Sequence, residues 1–169
     1  TGKRPSHRPL AVITFDDGYR DFYEQAFPVL RSLDLTATVF LPTAYIGKDV
    51  PLDHDRLYWL LCRAAKQNVD VRPALERAGV PGAKVRRFTG TKLVALTESL
   101  VYLPVAVRER AISELENSVS GFEAYPDEHR LLNWEQIREM ADAGIEFGAH
   151  TANHVLLTAE TAAAAASQA

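Results

Sequence analysis

Asp16 and Asp17 stand side by side ahead of Gly18, and His150 and His154 lie four positions apart near the other end of the chain. Carboxylate oxygens and imidazole nitrogens together make a mixed donor set that suits a divalent zinc, cobalt, nickel, iron or manganese ion. Two imidazoles and one carboxylate leave coordination positions for water and substrate, as a catalytic rather than a closed structural site requires. The second carboxylate then remains to take a proton. If the segment after Ala149 coils, His150 and His154 fall one helical turn apart and face one ion. Each pair alone also has a plain explanation, since adjacent acids begin turns and cap helices, and spaced histidines occur on surfaces. What decides between these readings is where the chain delivers them.

Residues 10–15, Leu-Ala-Val-Ile-Thr-Phe, form an apolar run that fits a buried strand, and Asp16-Asp17-Gly18-Tyr19 ends it. Apolar residues then recur at helical spacing from Tyr23 to Leu33, with Pro28 bending or dividing the helix. Residues 36–41 carry the β-branched and aromatic side chains of a second strand, and Pro42 stops it. Strand, helix and strand over this length make a parallel crossover unit and hence an α/β fold. The pattern returns at Asn133, a cap for a helix over 134–143 that Gly144 closes. A brief strand over 145–149 then ends in His150. Both polar clusters therefore follow strands directly.

Between these parts the pattern is helical. Helices are predicted over 58–65, 92–103 and 105–119, with connections at 79–82 and 121–127. The organisation expected is first strands and helix over 1–47, a helical insertion over 48–130, and a return to the core over 131–169. The insertion's charged residues read as a solvated surface. Cys62, the only cysteine, excludes an internal disulfide and reads as a small core residue. His7, His54 and His129 read as surface or locally hydrogen-bonded groups. The alanine-rich end, 161–169, either starts a helix or reflects an incomplete or engineered terminus.

With 47% hydrophobic residues in 169, the chain can bury a core, and overall disorder is excluded. A net charge of −3 provides no field that would draw nucleic acid or an anionic membrane. No apolar stretch is long enough for a transmembrane segment, and the polar start Thr1-Gly2-Lys3-Arg4-Pro5 lacks the apolar region of a signal peptide.

Thr14-Phe15-Asp16-Asp17-Gly18 resembles the first signature of the NodB-like polysaccharide deacetylases, carbohydrate esterase family four, and His150-Thr151-Ala152-Asn153-His154 resembles the second. The segments around Phe27-Pro28-Val29-Leu30, Asn133-Trp134-Glu135 and Gly144-Ile145-Glu146-Phe147-Gly148 are similar to the family as well. The resemblance implies a distorted (β/α) barrel of the NodB-homology type, here partial and interrupted by the helical insertion. It implies that Asp17, His150 and His154 hold one divalent metal, zinc first among the candidates, and that Asp16 is the catalytic base. Thr151 would help orient its loop, Gly18 would allow the close turn, and Tyr19 either lines the cleft or simply packs.

The implied reaction is hydrolysis of N-acetyl groups on an amino-sugar polysaccharide or oligosaccharide, releasing acetate. Later family motifs, which supply an arginine beside the base, pocket aromatics and a general acid, have no match before Ala169. A downstream segment is therefore expected to complete the barrel, and the parent is expected in the bacterial cell envelope or periplasm. The alternative reading is a catalytically incomplete, carbohydrate-binding or structural fragment of the same fold. A metal phosphoesterase fits less well, because the sequence shows neither a second ligand group nor a basic phosphate cluster.

Overall fold

The structure, a computed structural model, describes residues 11–80, 91–121 and 124–168; His7, Leu10 and parts of two predicted connections, 81–82 and 122–123, lie outside them. Three parallel strands, β1 (Thr14–Phe15), β2 (Thr38–Leu41) and β3 (Glu146–Ala149), form a sheet in the order β1-β2-β3. Thr14 pairs with Thr38 and Phe15 with Val39, while Thr38 to Leu41 pair in step with Glu146 to Ala149. This register brings the carboxyl ends of all three strands to one edge. Asp16 follows β1 and His150 follows β3 at that edge, and the amide of His150 donates to Leu41 O at 2.8 Å.

The sheet is not closed into a full barrel, in keeping with the partial barrel expected, but the expectation of a buried first strand is corrected. Of the described residues in the run expected as a buried strand, only Thr14–Phe15 is a strand, and it lies at the sheet edge: Val12 is 82% exposed, and among the described residues no strand covers the far side of β1. β2 has neighbours on both sides, and Val39 and Leu41 on it are buried.

The helix after β1 is divided at Pro28, and the physical reason is visible in its hydrogen bonds. Phe22–Ala26 is a π-turn in which the Phe27 amide reaches back to Phe22 O, and α1 (Phe27–Ser32) follows with Pro28 in its first turn. Proline has no amide hydrogen to continue the ladder, so the chain widens ahead of it and restarts. Phe22, Phe27 and Leu30 then pack with Val39 and Leu41 of the sheet and with Leu132, Ile137 and Met140. The last two lie on α6 (Trp134–Asp142), whose start is a capping box. Gln136 N donates to Asn133 Oδ1 at 2.9 Å, and Asn133 N donates to Gln136 Oε1 at 3.0 Å.

A separate apolar cluster is built by α2 (Asp53–Lys66), α3 (Arg72–Arg77), α4 (Thr91–Val101) and α5 (Val105–Ser118). Leu57, Leu60 and Leu61 of α2 meet Leu75, Leu100, Ile112 and Leu115 there, and half-buried Cys62 packs against them. Tyr45, Leu52 and Leu131 form a smaller cluster. The charges of this region are not all solvated, a second correction. Arg108 is 1% exposed and Asp53 6%, and they form an ion pair inside the protein. Burying either alone would leave an uncompensated charge, whereas exposed pairs such as Arg77 with Glu114 carry no such constraint.

The alanine run is helical: α7 (Ala162–Ala166) starts with Thr161 Oγ1 accepting from Ala164 N at 3.2 Å. Among the described residues, no helix is long and apolar enough to cross a membrane.

Candidate metal centre

Asp17 reaches the site because the chain reverses in three residues. The Gly18 amide donates to Asp16 O at 2.9 Å across Asp17, a γ-turn whose central residue has φ +70°. The positive-φ form of this turn is rare and strained, and an aspartate in it must be held from outside. Gly18 is also left-handed, φ +65°, and a Cβ on it would stand 2.4 Å from Leu41 Cδ2. Glycine is therefore favoured there on two counts, the backbone conformation and the close Leu41 methyl, which would have to shift. The turn is pinned by the 130–132 segment: Leu132 N donates to Gly18 O and Arg20 N to Arg130 O, both at 2.9 Å.

His150 and His154 converge without the helical turn expected from their spacing. Residues 150–156 are a loop in which Thr151 has φ +60° and His154 φ +50°. Two left-handed residues curl the chain instead, and neighbouring groups secure the curl. Thr43 N and Ala44 N donate to Thr151 O and Ala152 O, and Val155 N donates to Thr151 Oγ1 at 3.0 Å. The segment after α7 closes the other side, with Ala152 N on Gln168 O and Asn153 N on Gln168 Oε1, both at 2.9 Å.

Asp17 Oδ1 then lies 2.9 Å from His154 Nε2 and 3.6 Å from His150 Nε2. The two imidazole rings are 5.0 Å apart between centroids, and one donor atom from each of the three residues lies within 4.8 Å of the others. Oδ1 is buried and accepts no aligned hydrogen bond despite the 2.9 Å approach. We read that contact as two ligand atoms converging, since a buried carboxylate oxygen with no donor is costly unless a cation meets it. Burial works against ionisation of Asp17, but close approach by His154 and the nearby charges of His154, His54 and His150 outweigh it and hold the carboxyl below its usual range. The set therefore fits a divalent ion, and by donor chemistry zinc, cobalt, nickel, iron and manganese all suit it.

The family model for polysaccharide deacetylase matches residues 3–169. The chain belongs to the polysaccharide deacetylase family. Over 52 residues it is 44% identical to YxkH of Bacillus subtilis (strain 168), a protein named for the same family, with 31% of this chain and 17% of that protein covered. Among solved structures it is similar to the deacetylase domain of BpsB from Bordetella bronchiseptica, at 21% identity and a TM-score of 0.37, covering 86% of this chain and 33% of that one. The chain thus spans well under two thirds of either relative. Family membership and the Asp17, His150 and His154 cluster together support metal-dependent deacetylase chemistry in general.

Around this candidate metal centre the structure places residues that sequence reasoning treated separately. Asp16 is exposed and outside the three-residue donor cluster; it lines a cavity of about 230 Å³ with Tyr19 and Phe22. Tyr19 does more than pack. Its hydroxyl donates to Asp55 Oδ2 at 2.6 Å, so its oxygen accepts from His54 Nε2 at 2.9 Å. Burial first, then the bond to Asp55, pushes the Tyr19 phenol well above its usual range. His54, expected to be a surface or locally hydrogen-bonded group, instead bonds to Tyr19 across 35 positions, and its ring is only 5.3 Å from that of His154. Burial holds its pKa below the usual imidazole value, with Asp55 opposing and His154 adding to the effect. His129 Nδ1 lies 3.4 Å from Asp55 Oδ1. Nothing local in the sequence links residues 19, 54, 55 and 129 to the centre.

Proposed function

We propose that the protein carrying this chain hydrolyses N-acetyl groups of an amino-sugar polysaccharide or oligosaccharide, releasing acetate, with one divalent ion held by Asp17, His150 and His154. The observation that carries the reading is the meeting of a buried, donor-less Asp17 oxygen with two imidazole nitrogens at the carboxyl edge of a parallel sheet. That edge is where α/β folds of this kind keep their chemistry. Zinc is the first candidate among the ions that the donor set suits.

When bound, the ion supplies polarisation of the acetyl carbonyl and a lowered pKa for water. Asp16, adjacent in sequence but outside the donor cluster, keeps an open carboxylate that accepts the proton of the attacking water. Asp17, in the strained γ-turn, is held by Gly18 and the 130–132 segment and stays a ligand rather than a base. Thr151 closes the histidine loop on the Val155 amide and keeps both imidazoles turned inward. A cavity of about 340 Å³ borders the centre at His54 and Asp55 and is walled by Tyr58, Val94 and Tyr102. It is large enough to be a ligand site, and exposed tyrosine rings beside polar groups suit a sugar ring.

The test measures metal content and acetate release from N-acetylglucosamine oligomers. Asp17→Asn, His150→Ala and His154→Ala should lose metal and turnover together, while Asp16→Asn keeps metal and loses turnover. Acetate release retained by Asp16→Asn refutes the base assignment, and wild-type protein that takes up no divalent ion refutes the centre. Stoichiometric metal and oligosaccharide binding without acetate release would instead favour a carbohydrate-binding reading of the same fold.

A further inference from the structure

We infer that Arg108, in the helical region, is a positioning residue for the metal centre: it holds the histidine loop in its ligating shape through the carbonyl of Asn153. The inference rests on the proposed centre but concerns a residue on α5, 46 positions before His154 in sequence. Arg108 is 1% exposed, and its three bonds point in three directions. Nε donates to Asp53 Oδ2 at 2.7 Å, Nη1 to Val101 O at 3.1 Å, and Nη2 to Asn153 O at 3.1 Å.

Asn153 immediately precedes His154, so its carbonyl belongs to the peptide that sets the direction of the imidazole. The same residue is gripped on its other side, where its amide and its Nδ2 donate to Gln168 Oε1 at 2.9 and 3.3 Å. Such bracing has a reason: His154 sits at φ +50°, a conformation that persists only where surrounding contacts over-determine it. Rotation of the 153–154 peptide would swing the carbonyl off Arg108 and turn the ring away from Asp17. A planar guanidinium can hold three acceptors at fixed angles, whereas an ammonium on a flexible stem cannot reproduce them. Asp53 supplies the countercharge that allows this cation to be buried, and Arg56 Nη1, 3.4 Å from Asp53 Oδ1, supports it in turn.

Arg108→Met alone leaves Asp53 buried without its main partner and can unfold the protein, so the decisive variant is Arg108→Met with Asp53→Asn, which removes both charges. Arg108→Lys is its companion. Two quantities are read in the protein carrying this chain: the dissociation constant for Zn²⁺ by competition titration, and amide exchange of residues 150–155 in metal-free protein. The double variant is expected to weaken zinc 10- to 100-fold, roughly the loss for removing an outer-shell support. Exchange in the loop should accelerate while the α2 and α5 amides stay protected, and Arg108→Lys should recover part of both losses. Unchanged zinc affinity with unchanged loop exchange overturns the inference. Exchange accelerated equally across α2, α5 and the loop also overturns it, showing a general structural role. If the wild type binds no zinc, the metal reading fails on its own account, and loop-confined exchange still decides whether Arg108 braces residues 150–155.

Discussion

Gly18→Ala gives the sharpest test of how the site is held. A new Cβ at position 18 meets two penalties that the structure separates. The first is conformational: φ is +65°, and an L-residue in the left-handed region costs about 1–2 kcal/mol. The second is steric, because the Cβ would lie 2.4 Å from Leu41 Cδ2, and overpacking of a filled interior costs about 1–3 kcal/mol. Their sum, roughly 2–5 kcal/mol, is a large share of the ~5–15 kcal/mol by which a domain is stable. Gly144→Ala supplies the control, since Gly144 has φ +92° with nothing within 4 Å of its would-be Cβ. It should therefore lose the backbone part alone, about 1–2 kcal/mol. Removing the obstruction with Leu41→Ala should shrink the cost of Gly18→Ala to that same value, although Leu41→Ala is itself expensive at ~2–5 kcal/mol. Urea unfolding, followed by tryptophan fluorescence and extrapolated linearly, measures the wild type and all four variants. If Gly18→Ala costs no more than Gly144→Ala, or if its cost is the same with and without the Leu41 side chain, the account of the turn is wrong.

Asn133→Ala removes the acceptor for Gln136 N and should cost about 0.5–2 kcal/mol in the same unfolding experiment, with the rest of α6 intact by circular dichroism. Burial first, then the charge of Asp53, raises the Tyr45 phenol above its usual value of 10.0, so the folded state keeps a proton that the unfolded chain gives up. The Tyr45 contribution is complete below pH ~10 and declines above it, by up to about 1.4 kcal/mol per pH unit; an alkaline stability profile should be shallower for Tyr45→Phe. Zn²⁺ at a hundredfold excess over its dissociation constant should stabilise the protein by about 2.7 kcal/mol, and chelation should remove that gain. Asp17→Asn should melt at one temperature with or without zinc, and a zinc-dependent shift in that variant would remove Asp17 from the ligand set.

The parts of the site that could be read in the sequence are those in which chemistry and local structure fall on consecutive residues. Asp16-Asp17-Gly18 follows a run of apolar residues, and His150 follows another, so both clusters could be placed at strand ends before any coordinates. Asn133 with Gln136, and Pro28 inside a helical period, are equally local signals, and their structural effects lie within one turn. The spacing of His150 and His154 was legible, but its geometric cause was not. A four-residue interval fits a helical turn, whereas here it is folded by left-handed backbone at Thr151 and His154, a conformation that β-branched threonine gives no sign of and that histidine adopts only in a minority of cases.

The remainder of the site depends on contacts between distant residues, and for these a single sequence holds no signal. Arg108 pairs with Asp53 across 55 positions and with Asn153 across 45, while Tyr19 meets His54 and Asp55 across 35 and 36. In the sequence each charge sits among helical residues of ordinary polarity, where solvation is the default expectation. Burial reverses the energetics. A solvated arginine loses little by lacking a partner, whereas one at 1% exposure must satisfy its donors or destabilise the fold. The carbonyl of Asn153 is one of those acceptors, so the helical cluster and the histidine loop share a single polar contact. A helical segment whose charges read from the sequence as a solvated surface is thereby tied to the backbone of a candidate ligand. Its packing and the shape of the metal centre are linked through the same guanidinium.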